Sequence, residues 1–157
     1  MAEIRNYRDE WRADFERLNR EWIESWFALE DADRETFRDP VGKILDPGGQ
    51  VFFVVDHGRV LGTCAVLRHG PDVHEIAKMA VDPSARGRGY GDLLMEAAVE
   101  FSRRTGAQRV VIVSNTKLAP AIRLYEKHGF LRVPLDADQR YARADIQLER
   151  VLQGQPA

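Results

Sequence analysis

Val81-Asp82-Pro83-Ser84-Ala85-Arg86-Gly87-Arg88-Gly89-Tyr90-Gly91 is the stretch on which the reading of this chain turns. The residues leading into it, Glu75 to Val81, are mostly apolar and stop at Asp82-Pro83, which predicts a strand. The residues leaving it, Asp92 to Arg104, predict a helix with Tyr90, Leu94, Ala98 and Phe101 along one stripe. Two arginines and three alternating glycines lie between. Glycine lets backbone N–H groups turn toward a bound group and approach it closely. The start of the helix adds unpaired N–H donors and the positive end of its dipole. Strand, loop and helix together predict a pyrophosphate cradle.

Two common phosphate loops are excluded. A P-loop needs Gly-Lys-Ser/Thr, which the stretch lacks. A dinucleotide fingerprint needs a further glycine where Asp92 stands. Downstream, Arg109 to Asn115 is an apolar, β-branched run short enough for a buried strand. Thr116 to Phe130 then predicts a helix that Thr116 or Asn115 can cap, with Pro120 in its first turn and Gly129 at its end. The loop Arg86-Gly87-Arg88-Gly89-Tyr90-Gly91 resembles the Arg/Gln-x-x-Gly-x-Gly/Ala signature of the GCN5-related N-acetyltransferases (GNAT). Asn115 followed by Ala121-Ile122-Arg123-Leu124-Tyr125-Glu126-Lys127-His128-Gly129-Phe130 resembles that family's second signature. The resemblance extends through Phe52 to Leu67 and on to the closing strand.

Composition is that of an ordinary water-soluble chain, 44% hydrophobic and 31% charged over 157 residues. That length predicts one domain over residues 1–153, with a frayed tail at 154–157. No apolar run reaches the length of a membrane span and no leader pattern is present, so no membrane partner is expected. A single cysteine excludes an internal disulfide and fits a cytoplasmic location. A net charge of −2 gives no global field for nucleic acid. The first third is acidic and the remainder mildly basic; a solvated helix face is the plain reading of that asymmetry, and attraction of a cationic amine the other.

The remaining elements follow from periodicity and punctuation. Glu3 to Tyr7 predicts an opening strand. Glu10 to Glu30 predicts one long amphipathic helix, with Phe15, Leu18, Trp22 and Leu29 near one face and Trp11 and Trp26 at its margins. A looser helix follows from Asp31 to Leu45. Strands at Val51–Asp56 and Val60–Leu67 are joined by the tight turn His57-Gly58. The next strand runs from Val73 to Val81, and the chain closes with strands at Phe130–Leu135 and Arg143–Val151. This order predicts an α/β (α+β) fold, a mixed sheet of about seven strands with about four helices on both faces.

The family resemblance implies more. It implies that the two central strands splay, and that pantetheine lies in the gap and pairs with the backbone of Met79, Ala80 and Val81 like an added strand. It implies acetyl-coenzyme A as cosubstrate, held by Arg86, Gly87, Arg88, Gly89, Tyr90, Gly91 and, in its pantetheine or acetyl region, Asn115. Capping is the alternative role for Asn115. Tyr125 matches the family's general acid, with helix packing as the other reading. Glu75 is the expected base, since a carboxylate near the start of an apolar strand needs an explanation; a surface strand-end residue is the alternative. Strict alternation would put Glu75, Ala77 and Met79 on one face and His74, Ile76 and Lys78 on the other.

Cys64 is expected as a small core residue, on the face shared by Val60 and Val66. His57, His69 and His74 are expected to be solvated, and His128 to sit at a helix C-terminus where the dipole favours its charged form. No metal is expected, because none of the four has ligand spacing around it. Trp22, Trp26, Phe27, Glu30, Tyr141 and Arg143 lie where the family walls its acceptor cleft; aromatics at helical spacing are otherwise core, and Arg143 is otherwise a surface residue. The activity implied is N-acetylation of a small primary amine by direct attack in a ternary complex. A protein or peptide amine acceptor and a non-catalytic coenzyme A sensor are the alternatives. A homodimer is compatible with either.

Overall fold

In the computed structural model, which describes residues 1–152, the chain forms seven strands and four α-helices in the expected order. The tail expected from Gly154 lies outside the described residues. The strands are β1 (Glu3–Asn6), β2 (Gln50–Asp56), β3 (Arg59–Arg68), β4 (Val73–Val81), β5 (Arg109–Ser114), β6 (Leu131–Val133) and β7 (Ile146–Val151). They make one sheet in the order β1-β2-β3-β4-β5-β7-β6, antiparallel everywhere except between β4 and β5. The helices are α1 (Arg12–Trp26), α2 (Asp31–Arg38), α3 (Tyr90–Arg104) and α4 (Ala119–Lys127).

Alternation along the strands divides the apolar residues between two cores, one on each face of the sheet. Phe52 and Val54 of β2 pack with Leu94, Met95 and Ala98 of α3 and with Ile122 of α4. Val51 and Phe53 pack instead with Phe15, Leu18 and Ile23 of α1 and Phe37 of α2. Phe15, Phe37 and Phe53 are all essentially inaccessible, and each such side chain contributes roughly 1.5–3 kcal/mol by leaving water.

The long first helix ends earlier than its apolar stripe suggests. A 3₁₀ turn at Asp9–Trp11 precedes α1, which stops at Trp26, and Phe27 is extended. Leu29 therefore lies between helices. The reason is a capping box: Asp33 accepts a hydrogen bond from the Glu30 N–H, while the Glu30 carboxylate accepts from the backbone of Asp33. That exchange requires Glu30 to be extended, and it starts α2. The second helix is shorter than expected as well. It ends at Arg38, ahead of Pro40, and a π-helical turn covers Val41–Leu45.

Two bulges upset strict alternation. In β3, Val54 faces Gly62 but Val55 faces Val60, so Leu61 is an extra residue. Cys64 consequently shares its face with Leu61 and Val66, while Val60 packs on the other side. In β4, Ala77 pairs with Ala65 and Ala80 with Thr63, so Lys78 and Met79 together oppose Cys64. Lys78 adopts φ 55°, a left-handed conformation that few non-glycine residues take up. Its side chain is thereby swung to the α1–α2 face, away from His74 and Ile76, and Met79 packs on the α3 side instead of with Glu75.

Candidate functional site

β4 and β5 pair only at Val73–Glu75 against Arg109–Val111. Beyond that point they part, although β4 runs on to Val81 and β5 to Ser114. The edge of β4 that faces β5 is therefore free of a strand partner from Ile76 onward, and a cavity of about 460 Å³ fills the gap. Its walls include Glu75 to Val81, Ile112 to Asn115, Arg86 and Tyr125, with Trp22, Trp26, Phe27, Tyr141 and Arg143 along one side.

The anion cradle sits at the end of β4. Gly87 and Gly89 take φ of 82° and 81°, and a Cβ at either would meet nothing within 4 Å. Glycine is needed there for backbone angle, not for room. Among the described residues, the backbone N–H groups of Arg86 to Asp92 have no acceptor outside the helix they enter. Gly89 is the cap residue of α3 and offers no side-chain cap, which leaves the helix's first donors open. Gly91 serves a different end: a Cβ there would lie 3.0 Å from Leu124 Cδ2, so it lets α3 approach α4. The Tyr90 side chain is buried and its hydroxyl donates to Asp56 at 3.1 Å, so only its backbone belongs to the cradle. Arg86 lines the cavity, its guanidinium 3.1 Å from Glu21 of α1, and Arg88 reaches only the Ser84 carbonyl.

Tyr125 is buried on the inner face of α4, and its hydroxyl donates to no described residue. Burial, with Cys64 as a lesser neighbour, pushes the phenol up to about 12, so it keeps its proton across the physiological range. Burial likewise raises the Cys64 thiol to about 12. A thiol so protonated, wholly inside the core, is no nucleophile.

Glu75 is 7% exposed and faces the cavity. Its Oε1 lies 2.6 Å from Nε2 of His69, so His69 is not simply solvated. His74 is not solvated either. It is wholly buried on the α3 face, its Nδ1 3.1 Å from Ser102 Oγ, and desolvation, with the charges of Arg68 and His69, lowers its pKa. His128 does stand at the C-terminus of α4, 2.7 Å from Asp92.

Asn115 lines the cavity but its amide is engaged: Nδ2 donates to the Arg143 carbonyl at 2.7 Å and Oδ1 accepts from the Lys117 N–H at 2.8 Å. Neither Asn115 nor Thr116 caps α4, whose cap residue is Leu118. Thr116 instead bonds to Asp145 through both N–H and hydroxyl.

The wall that holds Tyr141 and Arg143 has a group of buried charges beside it that sequence spacing could not reveal. Asp33, fully buried on α2, accepts two hydrogen bonds from Arg143 at 2.7 and 2.8 Å and another from Lys78. Lys78 also donates to the Tyr141 hydroxyl at 3.0 Å, and the Arg143 guanidinium stacks over the Tyr141 ring. Burial pushes Asp33 up, but Arg143 and Lys78 together outweigh it and hold the carboxyl down to about 2. Arg143 is thus not a surface residue, and its fork is already filled by a carboxylate of the protein. Glu30, expected on the cavity, does not line it; its side chain caps α2 and accepts from the Ala142 N–H. Trp26, by contrast, is 55% exposed at the cavity wall. Among the described residues no three His, Cys, Asp or Glu side chains gather as a metal site, and no helix is long and apolar enough to cross a membrane.

A loop of open N–H groups leading into a gap beside an unpartnered strand edge has the chemistry to suit an extended ligand with phosphates at one end and amides along its length. Comparison with known proteins identifies the class. Residues 5–130 match the model of the Acetyltransferase (GNAT) family. An uncharacterized N-acetyltransferase of Schizosaccharomyces pombe is 31% identical over 122 residues, covering 74% of each chain. A mycothiol acetyltransferase of an Arthrobacter strain is 35% identical over 102 residues, covering 62% of this chain and 31% of its own length. The chain thus aligns with only about a third of that relative. A GNAT-family acetyltransferase from Staphylococcus aureus Mu50 superposes with a TM-score of 0.89 at 16% identity, over 98% of this chain and 100% of that one. A putative acetyltransferase from Salmonella typhimurium, solved with its cofactor acetyl-CoA, superposes with a TM-score of 0.73 at 19% identity, over 100% and 97%. The chain belongs to the GNAT family and is an N-acetyltransferase, a family that uses acetyl-CoA. The open N–H groups at Arg86–Asp92 and the free β4 edge fit that cosubstrate.

Proposed function

We propose that this N-acetyltransferase acetylates the primary amine of a small molecule by direct attack in a ternary complex. The observation that carries the reading is that Glu75 and Tyr125 line one cavity where β4 and β5 part. Bound acetyl-CoA supplies the activated acetyl thioester. The Arg86–Gly91 backbone holds its phosphates, and the β4 edge from Met79 to Val81 accepts its amides. Glu75, held at Oε1 and open at Oε2, takes the proton from the acceptor amine. Backbone released from the ladder at the Lys78–Met79 bulge polarises the thioester carbonyl. Tyr125 donates its proton to the departing thiolate as the C–S bond breaks, and regains one from the second proton that the nitrogen loses as the amide forms. Burial raises the phenol, and the same dry surroundings raise the thiol it must reprotonate. Asn115, already bonded to the Arg143 backbone, fixes the wall beside the acetyl group. Trp26, Tyr141 and Arg143 border the acceptor.

A small acceptor is supported by the size of the cavity, by its aromatic wall and by the mycothiol acetyltransferases among the partial relatives. The test is thiol release from acetyl-CoA with tryptamine, glucosamine, glutamate and a lysine-containing peptide. Turnover of one of the small amines is expected. Turnover of the peptide alone would transfer the reading to protein acceptors, and cofactor binding without any turnover would leave a coenzyme A-binding module. For Glu75→Gln the loss should be greatest at low pH, where the amine is protonated, and should shrink as pH rises. The rising limb of the rate profile should therefore move to higher pH.

A further inference from the structure

We infer that His69 is the proton outlet of the site, carrying the acceptor's proton from Glu75 to bulk water; the inference rests on the reading of Glu75 as base. Two exposures decide its direction. The Glu75 side chain is 10% exposed and His69, bonded to it at 2.6 Å, is 44% exposed. Glu75 lines the cavity, so substrates seated there would fill the aqueous route on that side of it. The remaining contact of the carboxylate runs through His69, out of the sheet at the β3–β4 turn. Imidazole is suited to this because it takes up and releases protons near neutrality and carries two nitrogens.

The step balances. The acceptor's N–H bond breaks and an O–H bond forms on Glu75. The carboxyl turns to bring that O–H to Nε2 of His69, in its Nδ1–H tautomer. The O–H bond breaks as Nε2 takes the proton, His69 releases one proton to water from Nδ1, and exchange with water restores the starting tautomer. Glu75 ends as carboxylate and the imidazole ends neutral. The surrounding ionisable groups are occupied elsewhere or lie across the sheet. Arg68, next to His69 on β3, donates to the Gly70 carbonyl. His74 lies on the opposite face against Ser102. Arg109 of β5 is paired with Glu149 of β7. Lys78 and Arg143, across the cavity, are bound to Asp33 of α2. Asp72, in the turn, holds Gln108 and Arg109 only through its backbone carbonyl.

The turn itself does not depend on the ring, since the His69 N–H donates to the Val73 carbonyl at 2.9 Å. Replacement of His69 should therefore leave the fold intact, as thermal unfolding checks. The experiment measures thiol release from acetyl-CoA, with the small amine that turns over fastest in the panel above, for His69→Ala, His69→Gln and Glu75→Gln. General-base catalysis is worth roughly 10²–10⁴ in rate, and loss of the outlet should remove about tenfold or more at neutral pH. Both His69 variants should be slow, and added imidazole should restore His69→Ala while leaving Glu75→Gln slow. Wild-type rates in His69→Ala, or full activity in His69→Gln without rescue by imidazole, would overturn the outlet and leave Glu75 as base. Wild-type behaviour of Glu75→Gln, or turnover of no small amine, would overturn both.

Discussion

At the scale of single residues, the proposed function makes Tyr125 and Asp33 separate chemistry from support. The Tyr125 hydroxyl donates to no described residue while its ring packs in the core, so Tyr125→Phe removes a proton donor and little else. We expect unfolding free energy to change by less than about 0.5 kcal/mol and kcat to fall by up to about 10², with acetyl-CoA affinity unchanged. Wild-type kcat in stopped assays would return the tyrosine to packing alone. Asp33 is the opposite case, a carboxylate that touches protein cations and lines no part of the cavity. Its pKa falls from 3.8 to about 2 on folding. The unfolded chain therefore binds its proton first as pH drops. The stabilisation, about 2 kcal/mol, is complete above about pH 5 and is lost as pH falls through about 2. Asp33→Asn leaves Lys78 buried without a carboxylate and Arg143 with only the Glu30 carboxylate at 3.4 Å, and should cost about 3–5 kcal/mol at neutral pH. Urea unfolding across that pH range measures both effects.

At the scale of elements, the glycines of one signature have two different causes. Gly89 supplies a backbone angle in the loop, whereas Gly91 supplies clearance between α3 and α4. A Val at Gly89 should weaken acetyl-CoA binding strongly, since its Cβ branches would stand where the proposed cradle takes the phosphates. It should cost the fold only the roughly 1–2 kcal/mol of a left-handed non-glycine residue. A Val at Gly91 should destabilise the fold by about 1–3 kcal/mol through overpacking against Leu124 and disturb cofactor binding less. Isothermal titration paired with thermal melts tells the two apart, and equal effects on both readouts would refute the division. The β4 bulge has the same logic. It releases backbone from the ladder at the cavity wall, and it points Lys78 toward Asp33 and Tyr141, contacts that hold the unfavourable φ in place.

At the scale of the whole molecule, the parted strands leave an incomplete sheet between two apolar cores. Polar backbone along β4 that faces a cavity is costly unless something pairs with it. A ligand that fills the gap should therefore stabilise the fold as well as bind to it. Acetyl-CoA at a hundred times its Kd should add about 2.7 kcal/mol, which raises Tm by about 5–10 °C for a chain of this size. Differential scanning fluorimetry checks this, and no shift at saturating cofactor would contradict the fit of the cradle.

The sequence by itself determined the order of elements, the glycine loop between Val81 and Gly91, and the two signatures, the second of which holds Asn115 and Tyr125. Those features are local: periodicity, Asp-Pro and Gly punctuation, and donors exposed at a helix start act within a few residues. The capping box at Glu30 and Asp33, which ends the first helix against its apolar stripe, was not legible in the same way, because Glu30-x-x-Asp33 lacks the Ser or Thr of the usual signature. Tertiary structure decided what depends on partners distant in sequence. Lys78 looks like an interior strand residue until Cys64 of β3 is seen opposed to two residues, and Asp33 is an ordinary helix acid until Lys78 and Arg143 close on it. His69 reads as a turn residue until Glu75 folds beneath it. A side chain's facing follows from strand register and its charge from the burial and partners that packing supplies, and neither is set by the residues next to it in the chain.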